Sequence, residues 1–523
     1  MSMEKGPDFF TNPVIWEDLA DLEVIRVHDT YYYSASTMAF SPGAPVLRSY
    51  DLVNWEYIGH SVPKLPFGPE YYLDGRHSGA YVKGIWASTF GYRPSNDMFY
   101  WYGSIQGTGK TYIYTAKCPE GPWTAQNPMD KLYYDAGLLI DDGDTMYLAY
   151  GSKTIFVAQL SRDGLHEVRD LSVYTAPDVV EGARMYKIYG AYYIWITKPG
   201  DEQLVLKSVA GPFGPYECRQ VISAMPSPIP GSAPPHQGAL VDTPDGKWYY
   251  MAFIDAYPGG RLPVLAPVKF DSDGWPHIIS DTTNTNVTWG LDYPMPVVSS
   301  RLVYPVGPYK DTFAGASNLN HRWEWNHNPV NDKWSIEPDG LMLQTASVTQ
   351  GIYFAANTLT HRILGPKSQG TFRLDVSNLT DGDRTGAVLF RDQSAYIGIH
   401  KEGTTTKIVY VGGISMNAEW GVVSNGAVED EGAGISADEC RDIWLRIKAD
   451  IAPAFYGSWK KKTRYAIFEY STDGHTFHQL GPKYALLNTW EWYIGYRFGV
   501  FNFATKQLGG SVLIKSFQLS RWN

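Results

Sequence analysis

One pattern recurs five times in the N-terminal half of the chain: a polar or aromatic residue, a short apolar strand, a tight turn, then an aromatic-rich strand. The copies are DLEVIRVHDTYYYSAS from Asp21, WASTFGYRPSNDMFYWYGS from Trp86, DAGLLIDDGDTMYLAYGS from Asp135, EGARMYKIYGAYYIWITK from Glu181 and HQGALVDTPDGKWYYMAF from His236. Each turn carries the Gly, Asp or Asn that a hairpin needs for its backbone twist. Strand repeats at this spacing predict an all-β chain opening with a five-bladed β-propeller, in which the first strand of every blade lines a shared axis.

The five leading residues then stand at equivalent places around that axis. Asp21, Asp135 and Glu181 are carboxylates. An acid before a strand is ordinary turn chemistry when it occurs once. Three at matched positions bring like charges together, which disfavours a scaffold and shifts pKa values in the way catalytic groups require. By contrast Asp141, Asp142 and Asp144 sit inside one hairpin turn, and the turn explains them.

The remaining composition narrows the partners. With 54 acidic against 44 basic residues the net charge is −10, which argues against nucleic acid or an anionic membrane and for a neutral ligand. No apolar run reaches the roughly 20 residues that span a bilayer, and MSMEKGPDFF lacks the apolar core of a signal peptide. Cys118, Cys218 and Cys440 match no metal or redox spacing and are expected to be unpaired. Sequons occur at Asn286 and Asn378 without deciding the compartment.

The runs ADLEVIRVHDTYYY, AFSPGAPVLRSYDLVNWEYIGH, GIWAS, EGARMYK, PHQGALVDTPDGKWYY and GGRLPVLAPVKFDSDGWP resemble glycoside hydrolase family 43. The resemblance implies a general base at Asp21, a pKa-modulating acid at Asp135 and a general acid at Glu181. Where many members read Ala-Asp-Pro, this chain has Ala20-Asp21-Leu22, which alters the turn but keeps the carboxylate. Within the family, NPVIWEDLADLEV and YYDAGLLIDD are most similar to fungal arabinofuranosidases that strip arabinose from doubly substituted xylose in arabinoxylan. β-Xylosidases share the SPGAPVL and DLVNWE segments.

The resemblance also places Arg261 near the sugar and implies an axial ion, often calcium, approached by His236 largely through water. No cofactor is needed for the chemistry, and a single histidine is weak chemical grounds for calcium, which prefers oxygen. Trp86 is expected to stack on the sugar or to lie in the core, Phe40 to face the axis from its Pro-Gly turn, and Tyr134 to line the pocket entrance. Inversion is expected, with acid and base about 6.5–9.5 Å apart to admit a water.

The propeller is expected over residues 1–305. Over 306–523, strands such as GTFRLDVS, TKIVYVGG and SVLIKSFQLS predict a β-sandwich. Its opening, TFAGASNLNHRWEWNHNPVNDKWSI, resembles the concanavalin-like domain that follows family 43 propellers, and Trp323 and Trp325 are read as anchoring it. The charged VEDEGAGISADEC reads as a solvated loop. The leading expectation is an extracellular, monomeric α-L-arabinofuranosidase acting on plant cell-wall arabinoxylan or arabinan. The alternatives are a β-xylosidase or exo-arabinanase on the same scaffold, a retaining transglycosylase, and a non-catalytic carbohydrate-binding propeller.

Overall fold

The computed structural model describes residues 8–200, 202–280, 288–297, 299–301 and 303–522; the Asn286 sequon and residues 1–7 lie outside them. Five antiparallel four-stranded sheets follow one another, with innermost strands Glu23–Val27, Ser88–Arg93, Gly137–Ile140, Glu181–Ile188 and His236–Asp242. These are the first strands of the five repeats, so the repeat and the blade coincide. Residues just before blade one bind the third strand of blade five and close the ring. Val14 donates to Pro263 O (3.1 Å), Leu19 to Arg261 O (3.0 Å), and Asn12 Nδ2 to Leu265 O (3.0 Å).

The inner strands are joined by buried polar groups. The Thr89 hydroxyl donates to Glu23 Oε2 (3.0 Å) and accepts from Leu138 N–H (2.8 Å), which links blades one, two and three. Arg184 in blade four donates to Ala136 O (2.7 Å) and to Asp21 O and Leu22 O (3.2 Å each), and lies 3.3 Å from Glu23. A buried guanidinium left unpaired would be costly, so its many partners fix where the backbone under Asp21 lies.

A β-sandwich follows, with a core of aliphatic and aromatic side chains between its two sheets. One sheet runs through Thr405–Met416, Gln393–Glu402, Asp383–Phe390, Arg497–Ala504, Leu359–Arg362 and Trp323–Asn326. It does not stop there: Phe40–Ser41, from the propeller, pairs with Trp325 and Asn326. Trp323 and Trp325 are buried, but their rings pack within the sandwich, Trp323 on Phe313, His361, Phe372 and Phe517 and Trp325 on Trp334, so the link to the propeller is the Trp325 backbone pairing with Ser41 rather than the two indoles.

Two further expectations are corrected. Phe40 does not face the axis; it is buried in the seam between the domains, under the Arg497 guanidinium (3.7 Å) and edge-on to Phe390. Its strand pairing with the sandwich turns the ring away. Residues 428–434 of the acidic segment are not loop but part of the edge strand Val422–Gly434. Edge strands carry charge as protection against further pairing, which is why the segment reads as solvated.

The seam holds an ionic cluster. Glu324, fully buried, meets Arg362 (2.9 Å), Arg497 (2.6 Å) and His60 (3.3 Å). Despite burial, these cations hold its carboxyl below the usual range. Asp18 joins the two domains at one point: it accepts from Arg261 N (2.7 Å) and from Gly495 N (2.9 Å). Gly260 must be glycine there, because φ is +93° and a Cβ would fall 2.4 Å from the Asp18 carboxyl.

Candidate active site

Asp21 and Asp135 stand just before their inner strands in left-handed conformations, with φ of 54° and 50°. Glu181 opens its strand directly; Gly182 behind it has φ 68°, and the pairing of blade four shifts register there. Such kinks and bulges re-aim a side chain at the cost of local strain, and they cluster at working sites. Here they bring Asp21 and Asp135 close enough to Glu181 for their charges to act on it and on each other, and Glu181 and His236 line one cavity.

Arg261 grips Asp21 with two parallel hydrogen bonds, Nη1 to Oδ1 at 2.7 Å and Nη2 to Oδ2 at 3.0 Å. Its Nε donates to Tyr493 O (3.0 Å), a carbonyl of the sandwich domain. The fork geometry fixes the plane of the carboxylate. Tyr493, 232 positions beyond Arg261, therefore helps to orient that carboxylate.

Tyr134 donates its hydroxyl to Glu181 Oε2 at 3.1 Å. Burial pushes the Glu181 carboxyl up; the Tyr134 hydrogen bond opposes this, the Asp21 charge adds to it, and the Arg261 charge pulls it down. Asp135 is held well above the ordinary carboxylate range, by burial first and then by the charges of Glu181 and Asp21. Arg184 and the Gly182 N–H oppose that rise. Asp135 and Glu181 therefore behave as a pair that retains a proton at pH values where an exposed carboxylate has lost it.

Replacing Tyr134 with Phe removes a bond that favours ionised Glu181, so its pKa rises further. The expected result is an upward shift of the alkaline limb of kcat/KM, read from a pH profile.

The cavity, about 360 Å³, is lined by Glu181, His236, Phe253, Asp255, Tyr257 and Arg261 from the propeller. The sandwich contributes Phe455, Tyr456, Lys460, Trp490 and Tyr493. Phe455 N and Tyr456 N both donate to Gly231 O (2.8 Å), which seats this wall on the propeller. Trp86 is half-buried beside it: Nε1 donates to Val82 O (2.7 Å) and one ring face stacks on Tyr493 at 5.8 Å.

His236 faces the cavity, with Nδ1 2.9 Å from Pro234 O and Nε2 3.8 Å from Asp255. A calcium ion needs several oxygen ligands. Among the described residues no three His, Cys, Asp or Glu side chains gather as a metal set, and no step is derived through an ion. The acids of the LLIDDGDTMY turn are structural. Asp141 Oδ1 accepts from Gly143 N and Thr145 N, Asp142 pairs with Lys187, and Asp144 pairs with Arg93. The three cysteines are free.

The model of glycosyl hydrolases family 43 matches residues 10–276. The chain belongs to this family. It is a glycoside hydrolase, and residues 310–520 match the β-xylosidase C-terminal concanavalin A-like domain. A solved family 43 structure is 49% identical, with a TM-score of 0.94, covering 98% of this chain and 100% of that one. It was described in work that engineered the active site to give both endo-xylanase and exo-arabinofuranosidase activity. The β-xylosidase of Formosa agariphila is 27% identical over 98% of this chain and 90% of its own. A non-reducing end α-L-arabinofuranosidase of Bacteroides ovatus is 29% identical over 65% of each chain.

Proposed function

We propose that this family 43 enzyme is an inverting α-L-arabinofuranosidase that removes arabinose side chains from arabinoxylan, including those on doubly substituted xylose. The observation that carries the reading is the shape of the site. Glu181 lines a cavity walled by both domains, and the charges of Asp21, Asp135 and Glu181 act on one another beside it, which suits a single terminal sugar projecting from a chain. The 49% identical relative associated with exo-arabinofuranosidase activity supports the sugar assignment.

In this reading Glu181 delivers its proton to the glycosidic oxygen as the bond to the anomeric carbon breaks. On the opposite face Asp21 takes a proton from a water whose oxygen bonds to that carbon, so the released sugar has inverted configuration. Proton exchange with solvent then returns Glu181 to its acid form and Asp21 to its base form. Asp135 and Glu181 together retain the proton that Glu181 delivers, and Arg261 holds Asp21 in line. The polymeric substrate favours an extracellular site of action.

A second reading, β-xylosidase, is favoured by the Formosa agariphila relative, which this chain matches almost end to end. Incubation with arabinoxylan and with xylobiose separates the two. Arabinose from the first and no xylose from the second is the expected result. Xylose from xylobiose without arabinose would move the enzyme to the β-xylosidases, and no product from either would favour a carbohydrate-binding propeller.

A further inference from the structure

A fourth carboxylate lines the cavity and has no part in the scheme above. Asp255 ends the second strand of blade five, Trp248–Asp255, opposite Arg261 across the sheet. Its backbone is fixed, since Asp255 O accepts from Ala233 N at 2.9 Å. Its carboxylate, by contrast, accepts no hydrogen bond from any described protein group. Arg261 is turned elsewhere, with Nη1 and Nη2 on Asp21 and Nε on Tyr493 O.

The nearest polar neighbour is His236, whose Nε2 is 3.8 Å from Asp255 Oδ2, too far for a direct hydrogen bond. His236 Nδ1 lies 2.9 Å from Pro234 O, and a carbonyl only accepts, so the ring proton is assigned to Nδ1. In the neutral imidazole Nε2 then carries a lone pair. Two acceptors consequently face each other across a gap, both lining the cavity that holds Glu181. A donor between them would satisfy both. The aromatic walls from Phe253, Tyr257, Trp490 and Tyr493 give the rest of the space the character of a sugar-ring site.

We infer that Asp255, with His236, accepts a hydrogen bond from a ring hydroxyl of the terminal sugar and so holds that sugar in register with Glu181 and Asp21. This rests on the cavity being the terminal-sugar site of the proposed function. Burial raises the Asp255 carboxyl above all, the Arg261 charge lowers it, and the charges of Asp21 and Asp18 raise it. In either protonation state one oxygen remains to accept from the sugar.

The test is a double-mutant cycle between protein and substrate. Wild type, Asp255→Ala and Asp255→Asn are assayed on an aryl α-L-arabinofuranoside and on analogues in which fluorine, which cannot donate, replaces each ring hydroxyl in turn. Fluorine also slows the chemistry electronically, but equally in all three proteins, so that effect cancels in the cycle. For one analogue, wild type should lose about 10- to 100-fold in kcat/KM beyond the electronic effect, as befits a hydrogen bond to a charged acceptor. Asp255→Ala should lose a similar factor on the parent substrate and little more on that analogue. Equal fluorine penalties in wild type and variant at every position would overturn the assignment, as would an Asp255→Ala variant with unchanged kcat/KM. If the alanine variant does not fold, the isosteric Asp255→Asn carries the same cycle, its carbonyl oxygen retaining part of the effect.

Failure of the wider reading looks different. A wild type that cleaves the aryl β-xyloside instead would refute the arabinofuranosidase assignment, and the cycle is then run on that sugar. A wild type inactive on both would remove the clamp together with the function.

Discussion

Glu181→Gln is expected to lower the rate on arabinoxylan by about a thousandfold, within the range for loss of a general acid, while leaving a nitrophenyl arabinofuranoside hydrolysed at a rate much closer to wild type. A sugar alkoxide is a poor leaving group and must be protonated as it departs; nitrophenolate departs without that help. Glutamine preserves the volume beside Tyr134 and can still accept its hydroxyl at Oε1, so the pocket keeps its form. The alkaline limb of the pH profile should also disappear for the activated substrate, because that limb reports loss of the Glu181 proton. Equal losses on both substrates would mean that Glu181 is not the acid.

Asp21→Asn is expected to lose at least as much, about a hundredfold to ten-thousandfold, and to lose it whichever leaving group is used. Water must be deprotonated in both reactions, so an activated aglycone offers no escape. The substitution has a second consequence. Arg261 meets both Asp21 oxygens with N–H donors, and an amide would turn one donor toward another, leaving a buried guanidinium partly unpaired. Ligand-free stability should therefore fall as well, in a denaturant titration. The contrast with Glu181→Gln separates the two carboxylates: one variant is rescued by chemistry in the substrate, the other is not.

What the sequence reveals depends on the range over which each feature is encoded. A blade is a local object: its hairpin turn, strand alternation and leading residue lie within about twenty residues, so the five repeats disclose the propeller and place Asp21, Asp135 and Glu181 on its axis. Tyr134 is found by adjacency to Asp135, and Arg261 through the resemblance to the family. The place of Phe40 is not legible locally, because its environment is set by Asn326 and Arg497, almost three hundred or more residues further on. The sandwich wall of the pocket, Phe455 to Tyr493, shares no pattern with the repeats and is assembled only when the seam closes. Asp255 carries a local signal: it ends the second strand of a blade whose first strand begins with an axial residue, and only five residues separate it from Arg261. The acidic edge strand misled for the opposite reason, because charge on an edge serves to keep other strands away and looks like solvation.

The seam also explains why propeller and sandwich work as one enzyme. Asp18 bonds the Arg261 backbone on one side and Gly495 on the other, and the Tyr493 carbonyl holds the Arg261 side chain. The second domain thus reaches Asp21, the base of the proposed mechanism, through two hydrogen-bonded contacts as well as supplying the outer wall of the cavity.

The measurement that bears most directly on the central claim is proton NMR of the first minutes of arabinoxylan digestion, recorded faster than the released sugar mutarotates. An inverting arabinofuranosidase built on Asp21 and Glu181 releases β-L-arabinofuranose first, with the α anomer and the pyranose forms growing in later, and the arabinose signals of doubly substituted xylose decline in step. The α anomer of arabinofuranose appearing first would contradict the assignment of Asp21 as a base acting through water, and xylose appearing in place of arabinose would contradict the assignment of the substrate.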